Sequence, residues 1–181
     1  MGDSITDEMD LSLYFPRKLY VNRGTGGQIT SQMLVRFRSD VINLHPRAVI
    51  ILAGTNDLYN MTVDESVDVI IGNIKSMTEL AHFNKIQVIL ASVLPVCGDV
   101  VKTRIPSMIL EINRILFNYA LQNGGVIYLD YFVALAGGDG LLKQELTTDC
   151  LHINEAGYRV MAPLAEAAIQ KALQAQERLI E

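Results

Sequence analysis

A serine near the start of the sequence is the first candidate for covalent chemistry. Ser4 lies in the run Gly2-Asp3-Ser4, in a stretch typical of a turn that opens into a helix. A serine on such a turn can present its hydroxyl at the edge of a sheet, but the hydroxyl is a weak nucleophile and needs an adjacent base. The simpler interpretation is that Asp3 or Ser4 only caps a helix.

His152 is the best candidate for the base among the 3 histidines. His45 precedes Pro46 at a predicted helix end and His82 lies near the end of a long predicted helix, so we expect both at the surface. Asp149 precedes His152 by one tight turn, which lets the carboxylate hold one ring nitrogen while the other faces a serine. The alternative is a local capping pair without a catalytic role.

Acyl transfer also requires hydrogen-bond donors aimed at the oxygen that becomes negatively charged. The candidate donors are the backbone N–H groups of Ser4 and Gly27 and the side-chain amide of Asn56. The simpler interpretations are a flexible turn at Gly27 and an Asx turn at Asn56.

The elements that must position these residues alternate between strand and helix. Apolar runs rich in β-branched residues predict strands at 48–53, 86–91 and 126–129, with a shorter candidate at 19–22. This alternation predicts a parallel sheet covered by helices on both faces, with the chemistry beyond the carboxyl ends of the strands. The helices are predicted to start at Thr30 or Ser31, at Thr62 or Asp64, at Pro106 and after Asn154.

Composition limits the class of protein. The 181 residues predict one globular domain over 1–181, and the net charge of −5 without a Lys/Arg cluster gives no indication of nucleic acid or an anionic membrane as partner. No apolar run reaches the roughly 18 residues of a membrane span. Cys97 and Cys150 are expected to be free thiols, a disulfide between them being the less favoured alternative. The sequence as given contains no signal peptide, which fits the cytoplasm; a removed N-terminal signal would place the protein in the periplasm or outside the cell.

Four blocks together resemble the SGNH hydrolases, the GDSL family of esterases and lipases. They are Gly-Asp-Ser at 2–4, the loop glycine at 27, Gly-Thr-Asn-Asp at 54–57 and Asp-x-x-His at 149–152. The resemblance covers essentially the whole chain, and the sequences of segments 20–28 and 33–38 are similar to those of a bacterial acylhydrolase branch.

The resemblance implies a flavodoxin-like three-layer α/β/α sandwich that hydrolyses carboxylic esters through an acyl-enzyme, without metal or cofactor. It implies Ser4 as nucleophile, His152 as base and Asp149 as the acid that orients it. Gly27 and Asn56 would complete the oxyanion hole with the Ser4 backbone, although Gly24 or Gly26 is an alternative donor in the same loop.

The sequence departs from the family in two places. Ile153 follows the histidine, where family members often have proline, and only Met1 precedes the nucleophile turn, where the family has a central strand between the strands predicted at 19–22 and 48–53. Unpaired buried backbone groups would each cost on the order of 1–3 kcal/mol. We therefore expect the natural protein to carry an N-terminal extension that ends in an apolar strand.

The substrate is less well defined than the reaction. The loop at 96–105 is short and carries no long apolar insertion, which favours small acyl groups such as acetyl. Candidates for lining the substrate pocket are Asp3, Leu58 and Tyr59, a plain surface loop being the alternative for the last two. The competing hypothesis for the whole protein is a catalytically silent ligand-binding module on the same scaffold.

Overall fold

Three parallel strands form the centre of the computed structural model, which describes residues 1–59 and 67–177 of the chain. They are β1 (Ala48–Ile51), β2 (Gln87–Ala91) and β3 (Val126–Leu129), in the order β1-β2-β3. Every residue of β2 is buried, because the strand has a neighbour on each edge and helices on each face. The three strands predicted from apolar runs are confirmed.

The sheet continues beyond β1 through single-residue bridges. Gly2 pairs in parallel with Leu52 on one side and with Gly24 on the other. The Leu52 N–H donates to the Met1 carbonyl at 3.1 Å, and the Thr25 N–H donates to the Gly2 carbonyl at 3.1 Å. Gly2 therefore lies between the two segments where the family resemblance places a central strand.

The strand predicted at 19–22 is wrong. Leu19 is 100% exposed and Val21 is 65% exposed, so the apolar side chains of this segment do not reach the core. Tyr20 points the other way and donates a hydrogen bond to Glu166 at 2.9 Å. Among the described residues, no strand pairs with 19–22, and the nearest bridge is the one between Gly24 and Gly2.

Seven α-helices lie in the described residues. Pro106 begins its helix as predicted, and the Asn154 side chain caps the last helix by accepting from the Gly157 N–H at 3.1 Å. The predicted helix start at Thr62 or Asp64 lies outside the described residues. The helices are α1 (Ser4–Asp7), α2 (Leu11–Tyr14), α3 (Thr30–Asp40), α4 (Val67–Phe83), α5 (Pro106–Gln122), α6 (Tyr131–Leu135) and α7 (Glu155–Glu177).

Two apolar clusters cover the two faces of the sheet. Successive residues of β2 alternate between them: Leu90 packs into one cluster and Ile89 into the other. Helices α3, α4 and α5 cover the first face, whereas α1, α6 and α7 contribute to the second. The predicted three-layer α/β/α fold is confirmed. Within the described ranges, no helix combines the length and the apolar character needed to cross a membrane.

Cys97 and Cys150 form a disulfide, with 4.7 Å between their Cα atoms, so the expectation of free thiols is wrong. Cys97 lies beyond the carboxyl end of β2, and Cys150 lies in the loop before α7 with φ at +70°. The Cys97 N–H also donates to the Cys150 carbonyl at 3.1 Å. The fold brings together two thiols that are 53 residues apart in the sequence.

Replacing both cysteines with serine should destabilise the protein. Opening a loop of 53 residues restores chain entropy to the unfolded state, which corresponds to about 4 kcal/mol in the loop-closure treatment. Urea unfolding of the double variant and the wild type measures the difference. Reductant should destabilise the wild type by a similar amount and leave the double variant unchanged. A loss below about 1 kcal/mol would contradict the expectation.

Candidate active site

Ser4 is the first residue of α1, and the helix begins with a cap supplied by its neighbour. The Asp3 carboxylate accepts a hydrogen bond from the Ile5 N–H at 3.0 Å, and the Asp3 carbonyl accepts from the Asp7 N–H at 2.9 Å. Because Asp3 accepts the hydrogen bond from a free N–H at the start of the helix, the Ser4 hydroxyl is not needed as a cap. Asp3 is therefore the cap, and this leaves the hydroxyl of Ser4 free for the role of nucleophile that the resemblance implies.

The backbone carbonyls of α1 are held by two side chains from distant parts of the sequence. The Asn22 Nδ2 donates to the Thr6 carbonyl at 2.6 Å, and its Oδ1 accepts from the Gly24 N–H at 2.8 Å. The buried Tyr158 of α7 donates its hydroxyl to the Ile5 carbonyl at 2.8 Å. These bonds hold a helix of only 4 residues, which would be unstable alone.

Two glycines let the backbone of α1 approach its neighbours closely. A Cβ on Gly2 would lie 2.1 Å from the Thr6 Oγ1 and 2.9 Å from the Leu52 carbonyl oxygen. A Cβ on Gly24 would lie 2.1 Å from the Asp7 backbone nitrogen. Any larger residue at either position would push α1 away from the sheet edge.

The structure brings Ser4, His152 and Asp149 into one hydrogen-bonded row. The Ser4 Oγ lies 3.2 Å from the His152 Nε2, and the His152 Nδ1 lies 2.7 Å from the Asp149 Oδ2. A proton on Nδ1 shared with the carboxylate leaves Nε2 free to accept the serine proton. The two other histidines precede the amino ends of strands: His45 is exposed before β1, and His82 is half-buried in the last turn of α4 before β2.

The loop that carries Asp149 and His152 is closed by its own hydrogen bonds. The Asp149 Oδ1 accepts from the backbone N–H groups of Leu151, at 3.0 Å, and His152, at 2.7 Å. Partial burial tends to raise the pKa of Asp149, but hydrogen bonds from the His152 ring and these two N–H groups outweigh it and lower the pKa. Asp149 is thereby kept ionised as a partner for the imidazole. Ile153, which replaces the usual proline, is buried and pairs with Thr147 across the loop.

Asn56 and Gly27 lie on two loops that are joined by a hydrogen bond. The Asn56 Nδ2 donates to the Gln28 carbonyl at 3.1 Å, next to Gly27 in the chain. Gly27 is exposed and has φ at +74°, and its N–H donates no hydrogen bond within residues 1–59 and 67–177. Of the two alternative glycines, Gly24 is engaged in the bridge to Gly2, whereas Gly26 has its Cβ position 4.0 Å from the Ser4 Cβ.

Asp57 anchors the loop that carries Asn56, a role that sequence reasoning missed. Its buried carboxylate accepts from the Thr30 N–H at 3.0 Å and from the Thr30 hydroxyl, and Asn73 of α4 donates to the same hydroxyl oxygen at 3.0 Å. Thr30 is thus the first residue of α3 and not its cap. The sequence shows a threonine at a predicted helix start and an aspartate after a predicted strand, but no motif indicates that these two residues form hydrogen bonds with each other.

The proposed lining residues lie in different environments. Leu58 is 1% exposed and packs in the first apolar cluster, whereas Tyr59 is 56% exposed, with the Arg104 guanidinium 5.1 Å from the centre of its ring. Arg104 is a further residue that no sequence motif indicated. It also donates to the Thr55 carbonyl at 3.0 Å.

Asp3 is the most deeply buried carboxylate of the site, with 1% exposure. Burial raises the pKa of Asp3 to about 6, against the opposing effect of the hydrogen bond from Ile5. Its Oδ2 has no hydrogen-bond partner among the described residues, and the charge of His152 offsets only part of the effect of burial on the pKa. In the described ranges, no group of three or more His, Cys, Asp or Glu side chains is arranged to hold a metal ion.

The sequence model of the GDSL-like lipase/acylhydrolase family matches residues 1–160. Among solved structures, a GDSL-like lipase from Bacteroides thetaiotaomicron is 38% identical with a TM-score of 0.87, over 96% of this chain and 87% of the other. A proposed acylhydrolase from Bacteroides fragilis is 40% identical with a TM-score of 0.87, over 96% and 86%. A mutant acetyl-xylooligosaccharide esterase from Geobacillus shares the fold, at 21% identity and a TM-score of 0.72 over 93% and 91%. No curated protein sequence gives a significant match.

The chain belongs to the GDSL-like lipase/acylhydrolase family, because the family's sequence pattern spans most of its length and the fold agrees. It is therefore a carboxylic ester hydrolase, as the resemblance in the sequence implied.

Replacing Asp3 with asparagine should change how stability depends on pH. The Asp3 carboxyl has a pKa of about 6 in the folded protein, against an ordinary value of 3.8 in the unfolded chain. The wild type therefore loses stability as the pH rises through this window, by ~3 kcal/mol above it. The Asp3→Asn variant keeps the cap oxygen but cannot ionise, so this loss should be absent.

The measurement is the free energy of unfolding in urea at about pH 4 and about pH 7.5. A matched control is Asp10→Asn at the exposed cap of α2, where hydrogen bonds from the Ser12 side chain and backbone lower the pKa of the carboxyl. That variant should show almost no pH-dependent change relative to the wild type between these two values, because above about pH 4 the Asp10 carboxyl is largely ionised in both the folded and the unfolded protein. Parallel pH profiles for the wild type and Asp3→Asn would show that the Asp3 carboxyl ionises normally in the folded protein.

Proposed function

We propose that this protein is a serine esterase that removes short acyl groups, such as acetyl, through an acyl-enzyme formed on Ser4. The observation that carries the proposal is the hydrogen-bonded row of Ser4, His152 and Asp149, with contacts of 3.2 Å and 2.7 Å. This row lies at the carboxyl edge of the parallel sheet, where α/β folds place their chemistry.

In the first half of the reaction, the Ser4 Oγ attacks the ester carbonyl carbon while His152 Nε2 takes the hydroxyl proton. The imidazolium that results is stabilised by Asp149 through Nδ1. The tetrahedral intermediate places its negative oxygen toward the N–H groups of Ser4 and Gly27 and the Asn56 amide. Its collapse breaks the bond to the alcohol oxygen, which receives the proton from Nε2.

In the second half, water takes the place of the alcohol. His152 removes a proton from the water, whose oxygen attacks the carbonyl carbon of the acyl-enzyme. Collapse of this second intermediate breaks the bond to the Ser4 Oγ and returns the proton to it. The products are the free acid and the free alcohol, and no cofactor enters the balance.

The preference for short acyl groups is supported by the segment that follows β2. Its 3₁₀ helix, Gly98–Lys102, is preceded by the disulfide at Cys97 and followed by the buried Arg104. A loop that is held at both ends over so few residues cannot extend into a lid over a long acyl chain.

The Ser4→Ala variant should lose hydrolysis of p-nitrophenyl acetate, because the nucleophile is gone. We expect kcat to fall by at least about 10⁴-fold while the melting temperature stays close to that of the wild type. A serine-directed fluorophosphonate should label the wild type and leave Ser4→Ala unlabelled. Ser76→Ala, which removes a serine whose hydroxyl donates to the Gly72 carbonyl within α4, should keep both turnover and labelling. Turnover retained by Ser4→Ala would refute the assignment.

A series of p-nitrophenyl esters from acetate to decanoate tests the acyl preference. We expect kcat/KM to be highest for acetate to butyrate and to fall by at least about 10-fold by octanoate, since a transition state that leaves acyl carbons unbound gains nothing from them. Rising kcat/KM along the series would contradict short acyl specificity and leave the Ser4 mechanism intact.

A further inference from the structure

Arg104 is a buried cation beside the candidate oxyanion hole. The residue is 8% exposed, and within the described part of the chain no carboxylate oxygen lies within 4.0 Å of its guanidinium. Charged side chains are rarely buried without an opposite charge, because they lose hydration. The groups that contact the Arg104 guanidinium in place of a carboxylate therefore indicate the role of its charge.

The guanidinium joins the segment after β2 to the turn after β1. Its Nε donates to the Thr55 carbonyl at 3.0 Å, and its Nη2 lies 3.4 Å from the Asn56 Oδ1. The group also lies over the Tyr59 ring, and the Arg104 N–H donates to the Val100 carbonyl at 2.9 Å. The hydrogen bond to Val100 holds the Arg104 backbone, and the Tyr59 ring holds the guanidinium. The cation is therefore kept against the Asn56 amide.

These contacts determine which way the Asn56 amide faces. Arginine offers only donors, so the amide oxygen must face it. The Gln28 carbonyl offers only an acceptor, so the amide nitrogen must face it. A flipped amide would meet donor against donor at one end and acceptor against acceptor at the other. One Nδ2 hydrogen is bound to Gln28, and no described residue accepts a hydrogen bond from the second.

We propose that Arg104 is a positioning residue that orients the Asn56 amide and strengthens it as an oxyanion donor. This inference rests on the proposed function. A positive charge at the amide oxygen draws electron density away from the nitrogen, which makes the remaining N–H a stronger donor. Because the oxyanion forms only during the reaction, the effect should appear in kcat and not in KM.

The first test is Arg104→Met, which keeps the aliphatic length and removes the charge and the donors. We expect kcat for p-nitrophenyl acetate to fall about 10- to 100-fold, with KM changed less than about 3-fold. Arg104→Lys keeps the charge and should recover part of the loss. The matched control is Arg114→Met on the exposed face of α5, where the guanidinium pairs with Glu111, and this variant should keep its kcat. A kcat for Arg104→Met within about 2-fold of the wild type would overturn the proposal.

The second test separates positioning from a purely structural role by a double-mutant cycle with Asn56→Ala. Loss of this amide alone should lower kcat by roughly 10²–10³-fold. If Arg104 acts through Asn56, adding Arg104→Met to Asn56→Ala should cost less than about 3-fold more. Losses that multiply would overturn the proposal. Should Arg104→Met fail to fold by circular dichroism, Arg104→Lys in the same two backgrounds provides the comparison.

The Ser4→Ala variant distinguishes a failure of the proposed esterase function from a failure of the positioning role of Arg104. If Ser4→Ala retains turnover, the proposed function and the role of Arg104 both fail. If Ser4→Ala is inactive and the losses at Arg104 and Asn56 multiply, the esterase mechanism stands and only the positioning role of Arg104 is refuted.

Discussion

The close backbone packing around α1 is the constraint on which the site depends. Gly2 and Gly24 leave no space for a side chain between the helix and the neighbouring backbone. Arg36 of α3 adds to the support by donating to the Gly2 carbonyl at 3.1 Å. Because a helix of 4 residues has almost no stability of its own, its position is set by these surroundings. Ser4 is therefore placed by the sheet edge and not by its own helix.

In two places, one residue anchors the fold and its neighbour in the chain faces the candidate site. Asp3 caps α1 from a buried position while Ser4 faces His152. Asp57 binds Thr30 inside the fold while Asn56, one residue earlier, reaches the loop at Gln28. In each pair one side chain makes the anchoring hydrogen bonds and the other is left to face the candidate site, so the groups proposed to react lie on turns that are already fixed.

The sequence was sufficient where a pattern was local. Continuous apolar runs gave the three strands, and the family blocks gave the fold and the contact between Asp149 and His152. It failed at 19–22, where a short apolar run lacks a partner strand, because strand pairing is not encoded within 4 residues. The disulfide could not be preferred over free thiols, and Arg104 could not be singled out, because both depend on distances across the fold. The roles of the site residues remain predictions.

The disulfide also makes a covalent ring of part of the chain. The ring contains α5, β3 and α6, together with Asp149 just before Cys150. Cutting a single peptide bond inside the ring would yield two pieces that stay joined through sulfur, with Ser4 and His152 still on one molecule. One cut by a protease within the ring therefore releases no fragment. A fragment can separate only after two cuts within the ring or a cut outside it.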